Sequence, residues 1–254
     1  MFLSEAFTRR AVMRALAQAG FHQSYTYFTW KSSRWDLSRE LETLLADGDA
    51  FRPNFFVNTP DILPTILQIG GRPAFIMRVV LAATLSSVYG IYSGYELCEN
   101  EPIPGKEEYL DSEKYEIKLR DWDAPESIAP LITRINQIRY EYPALHAYND
   151  VVFLEVDNPD IIAYLKMTQD KSDIILCVVN LDPFNKQTSL IHVPLAEFGV
   201  RDDEQYQAHD LLTDERYLWR GPTAYVELDP DGKMAHIFKI RQWQHYEAGF
   251  DYFV

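Results

Sequence analysis

The stretch FLSEAFTRRAVMRALAQAGFHQSYTYFTWK, residues 2–31, holds a short apolar run, a helix-period run and an aromatic β-rich run in direct succession. Phe2 and Leu3 read as a strand, 8–19 as a helix stopped by Gly20, and 24–28 as a second strand. Working outward, a helix capped by Ser32 or Ser33 carries Leu37, Leu41, Leu44 and Leu45 on one face. Residues 55–57 form a third strand, 72–85 a strongly apolar helix with Pro73 in its first turn, and 88–92 a fourth strand. An irregular polar loop over 99–123 leads to an amphipathic helix over 127–142, with Ile128, Leu131, Ile132, Ile135 and Ile138 in register. Four strand–helix units are half of an eight-fold barrel or a small doubly wound sheet, and periodicity leaves both open.

From Val151 the rhythm changes. Residues 151–156, 161–168, 174–180, 188–193, 206–210, 224–228 and 236–240 read as strands. Turn signals at Asn158-Pro159, Asp182-Pro183, Gly221-Pro222 and Asp231-Gly232 fall between them. This predicts an all-β sandwich of about seven strands.

Composition narrows the function classes. A formal charge of −14 argues against a nucleic-acid partner, which needs Lys and Arg to displace counterions. The 16 Tyr, 14 Phe and 5 Trp suit the CH-rich faces of sugars and equally suit cores with wet edges. Cys98 and Cys177, far apart and each beside apolar residues, point to reduced thiols and a cytoplasmic protein. No stretch approaches the ~20 apolar residues of a membrane span. Because MFLSEAF opens directly in a β-like run, the expectation is an internal piece of a longer chain.

Functional residues of a βα barrel sit just after each strand. That rule picks out Glu5 after the first strand and Asp61 after the third. Paired carboxylates suit glycoside chemistry, in which one acid protonates the leaving oxygen and anionic groups stabilise an oxocarbenium-like transition state. The alternative for Asp61 is an N-cap of a helix over 62–67. Trp30 and Trp35 flank a strand end, as a sugar platform or as core or lid packing. The six His residues show no ligand spacing.

The opening stretch, followed by RPNFFVNTPDILP (52–64), SGYELCENEP (93–102) and the loop EEYLDSEKYEIKLRDWD (107–123), resembles the maltose-1-phosphate-dependent α-1,4-glucan maltosyltransferases of the α-amylase superfamily. SYTYFTW (24–30) and NTPDIL (58–63) are the specific segments. Pro60-Asp61 stands where an ordinary amylase has His-Asp, a departure that favours the maltosyltransferase. The resemblance implies the C-terminal half of a (β/α)8 TIM barrel, strands five to eight, over 1–149, and a β-sandwich domain over 150–254. It implies that Glu5 is the general acid/base and Asp61 the transition-state stabiliser. Lys114 and Tyr115, in SEKYE (112–116), would contact the donor sugar; the alternative there is a solvated charged loop. The partners implied are α-maltose 1-phosphate, an α-1,4-glucan and a missing N-terminal half that supplies the nucleophilic Asp. No metal or cofactor is implied. A homodimer of the full-length enzyme would draw on an N-terminal domain outside this chain.

Overall fold

In a computed structural model, residues 1–48, 51–113 and 117–242 are described. The first half builds one parallel sheet from β1 (Leu3–Ser4), β2 (Gln23–Tyr25), β3 (Pro53–Phe56) and β4 (Val88–Gly90), in that spatial order. The helices α1 (Arg10–Gln18), α2 (Arg34–Leu45), α3 (Thr65–Ile69) and α4 (Gly71–Leu85) connect them, and α5 (Ala129–Glu141) follows. Strands that pair in chain order, all parallel, need a crossover after each, which is what the alternating pattern supplies.

Local chemistry sets the boundaries. Gly20 ends the first helical unit at φ +111°, a conformation that favours glycine. Of the two candidate caps, Ser33 is the one used. Its Oγ accepts from Asp36 N at 3.1 Å and donates to the Asp36 carboxylate at 2.7 Å. Leu37, Leu41 and Leu44, one helical face of α2, are buried. The second strand stops at Tyr25, earlier than its β-rich sequence predicts, because Tyr27–Trp30 close into a 3-10 turn with Thr26 Oγ1 accepting from Phe28 N. The apolar helix predicted over 72–85 has a short companion, α3, ahead of it.

Residues 74–85 of α4 are all buried, so this helix is covered on every side. It packs against α3, α5, β3 and β4, and on its far side against the second sheet. That sheet has six strands in the order β10 (Arg216–Arg220), β9 (Gln205–Asp210), β12 (Ala235–Gln242), β7 (Ile174–Asn180), β6 (Ile161–Met167) and β5 (Val151–Phe153). A two-stranded sheet of β8 (Gln187–His192) and β11 (Thr223–Leu228) covers its other face.

This layering explains why β6 and β7 are continuous apolar runs. Ile162 and Tyr164 of β6, with Ile175, Cys177 and Val179 of β7, share a core with the helices. The alternate residues Ile161, Ala163, Leu165, Leu176 and Val178 share a second core with β8 and β11. At the two-stranded outer sheet β11 alternates buried and exposed, as a half-solvated strand does.

Among the described residues the all-β region has eight strands, one more than the sequence pattern predicts. The additional one is β10, whose Tyr217 and Trp219 alternate with charged and exposed residues. Polar main-chain contacts join the two halves. Arg134 Nε donates to Leu211 O at 2.7 Å, Arg34 to Val156 O at 3.2 Å, and the Ala144 amide to the buried Asp173 carboxylate at 2.9 Å.

Candidate active site

Because β1 to β4 are parallel, their carboxyl ends share one rim of the sheet. Registers Ser4↔Ser24, Tyr25↔Asn54 and Phe56↔Gly90 put the ends at similar heights. Glu5 leaves β1 there, Thr26 to Trp30 leave β2, Val57 to Asp61 leave β3, and Ile91 and Tyr92 leave β4.

Glu5 is exposed. Its carboxylate lies close enough to Tyr25 to act on it: burial raises the Tyr25 hydroxyl above the usual tyrosine range, and the charge of Glu5 raises it further. Around Glu5 the rim is aromatic. The ring of Phe7 is edge-on to Trp30 at 5.0 Å and to Tyr25 and Tyr27 at 5.8 Å, and Tyr25 lies 4.3 Å from Phe56. Trp30 is locked by its indole N–H, which donates to Glu107 at 2.7 Å. It is a wall of this cluster, whereas Trp35, 72 % exposed on α2, is outside it.

Asp61 is exposed at the tip of a tight turn in which the amides of Thr59 and Ile62 each donate to the other's carbonyl. The helix that follows begins at Thr65 after Pro64, so Asp61 is not its N-cap. The same turn fixes Asp61 through its amide, which donates to Thr59 Oγ1 at 3.3 Å. Glu5 and Asp61 therefore stand on one rim, two strands apart. Lys114 and Tyr115 lie outside the described residues.

Three further groups shape the rim. Asn58 is fully buried: its amide donates to Tyr109 OH at 2.6 Å and its Oδ1 accepts from Tyr92 N at 2.9 Å. It ties the ends of β3 and β4 to the loop over 99–123. Burial pushes the Tyr109 hydroxyl well above the usual range, although its bond to Asn58 opposes the shift.

The second group is Arg78, buried in the middle of α4. Its guanidinium donates to the carbonyls of Phe28 (2.6 Å) and Lys31 and lies 4.1 Å over the Phe28 ring. Burial lowers it to about 10, with Tyr95 acting in the opposite direction, so it stays charged at neutral pH and anchors the turn after β2.

The third is Arg120, whose side chain is 2 % exposed and grips Glu99 at 2.8 Å and Glu113 at 2.9 Å. Lys118 joins Glu99 at 3.1 Å, and Glu113 N donates to Tyr92 OH at 2.7 Å. Burial works against the Arg120 charge, but hydrogen bonds to Glu99 and Glu113 outweigh it and raise its pKa above the ordinary value. Residues 99–113 and 117–123 are thus clamped beside the rim. Among the described residues no three His, Cys, Asp or Glu side chains converge as a metal site would require.

The rule that selects Glu5 also selects Asn58, which follows the apolar PNFFV run (53–57) directly. Arg78 is detectable as the lone charge in the apolar run 73–85. Arg120 gives no such signal, since charges of both signs alternate around it.

The family model described as "GLGE, C-terminal" matches residues 153–240. Curated relatives cover nearly the whole chain. The alpha-1,4-glucan:maltose-1-phosphate maltosyltransferase of Rhodospirillum rubrum is 52 % identical over 242 residues, 94 % of this chain and 35 % of the relative. That of Myxococcus xanthus is 48 % identical over 255 residues, 100 % of this chain and 38 % of the relative. This chain is a homologue of these maltosyltransferases over the part they share. It spans little more than a third of the length of these relatives.

Among solved structures, a noncanonic maltogenic α-amylase of Thermotoga neapolitana aligns with a TM-score of 0.60 at 14 % identity, covering 96 % of this chain and 55 % of that one. An Anoxybacillus α-amylase aligns with a TM-score of 0.67 at 11 % identity, covering 96 % and 53 %. At these identities the likeness is one of fold.

Proposed function

We propose that this chain is the part of an α-1,4-glucan:maltose-1-phosphate maltosyltransferase that carries its general acid/base and its transition-state stabiliser. Residues 1–149 then form strands five to eight of a (β/α)8 barrel, and 150–254 a sandwich domain. The reading rests on one juxtaposition. Glu5 and Asp61 leave β1 and β3 on the same rim, in a chain about half identical along its length to such enzymes.

In the complete enzyme an Asp from the preceding half attacks the anomeric carbon of α-maltose 1-phosphate. The C–O bond to phosphate breaks while Glu5 assists departure of the phosphate oxygen. A covalent maltosyl–enzyme forms. Glu5 then takes the proton from the 4-hydroxyl of a glucan chain end, whose oxygen displaces the Asp with net retention. Asp61 lends negative charge to the oxocarbenium-like sugar in both steps. The aromatic wall of Phe7, Tyr25 and Trp30 flanks this site and limits water around Glu5. That matters because Glu5 is exposed within this chain, so the burial that would tune a general acid must come from the other half and the bound sugar. Lys114 and Tyr115 contact the donor's sugar. No cofactor enters the scheme, and a cytoplasmic location fits a sugar-phosphate donor.

The test is an assay of the complete enzyme with α-maltose 1-phosphate and a maltooligosaccharide acceptor. Glu5→Gln is expected to cut phosphate release by about 10²–10⁴-fold, the usual contribution of a general acid/base. The 254-residue chain alone is expected to extend no glucan. Free reducing sugar in place of extended glucan would replace transfer by hydrolysis, and an unimpaired Glu5→Gln enzyme would sink the assignment.

A further inference from the structure

A second candidate site lies far from the rim, at the edge of the sandwich. β10 and β11 are joined by the tight Gly221-Pro222 turn, yet they enter different sheets. They splay apart from that turn and leave a cleft of about 510 Å³ between the sheets, within the ~300–1,000 Å³ range of small-molecule sites.

The cleft is aromatic. Tyr217 and Trp219 of β10 line it, Tyr225 of β11 stands 59 % exposed at its lip, and His236 and Phe238 of β12 are stacked at 4.7 Å beneath. These rings are braced. Trp219 is edge-on to Phe238 at 5.1 Å, and Tyr217 to Phe238 at 5.8 Å. His236 is oriented as well: its Nδ1 bonds the buried Asp210 carboxylate at 2.8 Å, which also accepts from Leu212 N and Thr213 Oγ1. A carboxylate held this way only accepts, so Nδ1 donates.

Most of the charges around the cleft are paired. Lys233 and the Tyr217 hydroxyl both bond Glu215, and Lys186 meets Glu227 at 2.6 Å. Two cations thus face three anions, since Asp229 also lines the cleft, which leaves hydrogen-bonding oxygens and no excess of positive charge that would recruit a phosphate. Braced aromatic rings and a lip of hydrogen-bonding oxygens match a pyranose, which has a CH face and an equator of hydroxyls.

We propose that the β10–β11 cleft is a non-catalytic binding site for a neutral oligosaccharide. It rests on the preceding reading only for the identity of the sugar, which that reading makes an α-1,4-glucan. Such a site tethers a long acceptor so that its chain end is held at high local concentration near the rim.

The experiment is calorimetric titration of the 254-residue chain with maltoheptaose and, separately, cellohexaose. One of them is expected to bind. Tyr225→Ala, an exposed change that leaves the core intact, and Trp219→Phe are each expected to weaken it about tenfold, the scale of losing an aromatic anchor. Glu5→Gln is expected to leave that affinity unchanged. Binding of neither sugar, binding that ignores both cleft substitutions, or displacement by tetramethylammonium would overturn the proposal. A preference for cellohexaose supports the cleft and counts against the α-glucan reading. A cleft that binds nothing in an enzyme that still releases phosphate from maltose 1-phosphate removes the cleft and leaves the transferase standing.

Discussion

Single buried charges do much of the joining in this molecule, and the strands they occupy hide them. Lys166 ends the helix-facing row of β6 and is fully buried, its ammonium donating to Ala147 O. Burial lowers it from 10.5 to about 8; Cys177 and Asp150 oppose that shift and Arg139 adds to it. The sign of the consequence follows. At neutral pH both folded and unfolded chains hold the proton, and the folded state carries the full penalty of about 3 kcal/mol. Between pH about 8 and 10.5 the unfolded chain keeps a proton that the folded chain has lost, so stability rises with pH. Against Lys166→Met, wild type is expected to gain about 2 kcal/mol between pH about 7.5 and 9.5. Urea unfolding of both proteins at both pH values measures it, and parallel profiles would count against the assignment. The loss of the donor to Ala147 O is the same at both pH values and cancels.

At the scale of elements, the sequence is most legible where one face of an element meets water. The helix over 127–142 is found as α5 because Ile132, Ile135 and Ile138 repeat on its buried face. Strand β11 is found because it alternates. Elements held by irregular contacts are harder to read. The 3-10 turn Tyr27–Trp30 has strand-like composition, and its shape comes from Arg78, some fifty residues away. Strand β10 is short and bracketed by arginines, so its period of two is lost among charges. At the rim, Glu5 and Asp61 are readable from the strand-end rule, whereas the clamp on the 99–123 loop is not, because its ion pairs join residues about twenty apart in a segment without period. That clamp predicts a glycine effect. Gly94 sits at φ +90°, and a Cβ there would meet Glu99 Oε2 at 2.3 Å, with Glu99 already held by Lys118 and Arg120. Gly94→Ala is expected to cost about 1–3 kcal/mol and to speed proteolysis within 99–123, while Gly105→Ala, also at positive φ but with open space around its Cβ, carries the backbone strain without the clash and costs less. Equal cleavage rates in the two variants would show that the clamp does not control the loop.

For the whole molecule, the informative feature is the open edge of the parallel sheet. The sandwich closes its broad faces with helices on one side and β8–β11 on the other. The parallel sheet instead ends in β1 and β4, neither of which pairs on its outer side among the described residues. Beside β1 stand Met1, Phe2 and Val12, 88 %, 68 % and 40 % exposed. An open strand edge bordered by apolar side chains is a template for another strand. In the proposed enzyme the preceding barrel half takes that place. For the 254-residue chain alone the remaining partner is a second copy, so weight-average mass in sedimentation equilibrium is expected to climb with concentration. Phe2→Lys with Val12→Glu places charge on that edge and is expected to return the chain toward monomer without loss of helical or strand signal in circular dichroism. A wild-type chain that stays monomeric at every concentration would mean that the edge is satisfied from within. The half-barrel reading of residues 1–149 would then lose its physical support, because a sheet that needs no further strand has no reason to continue into a barrel.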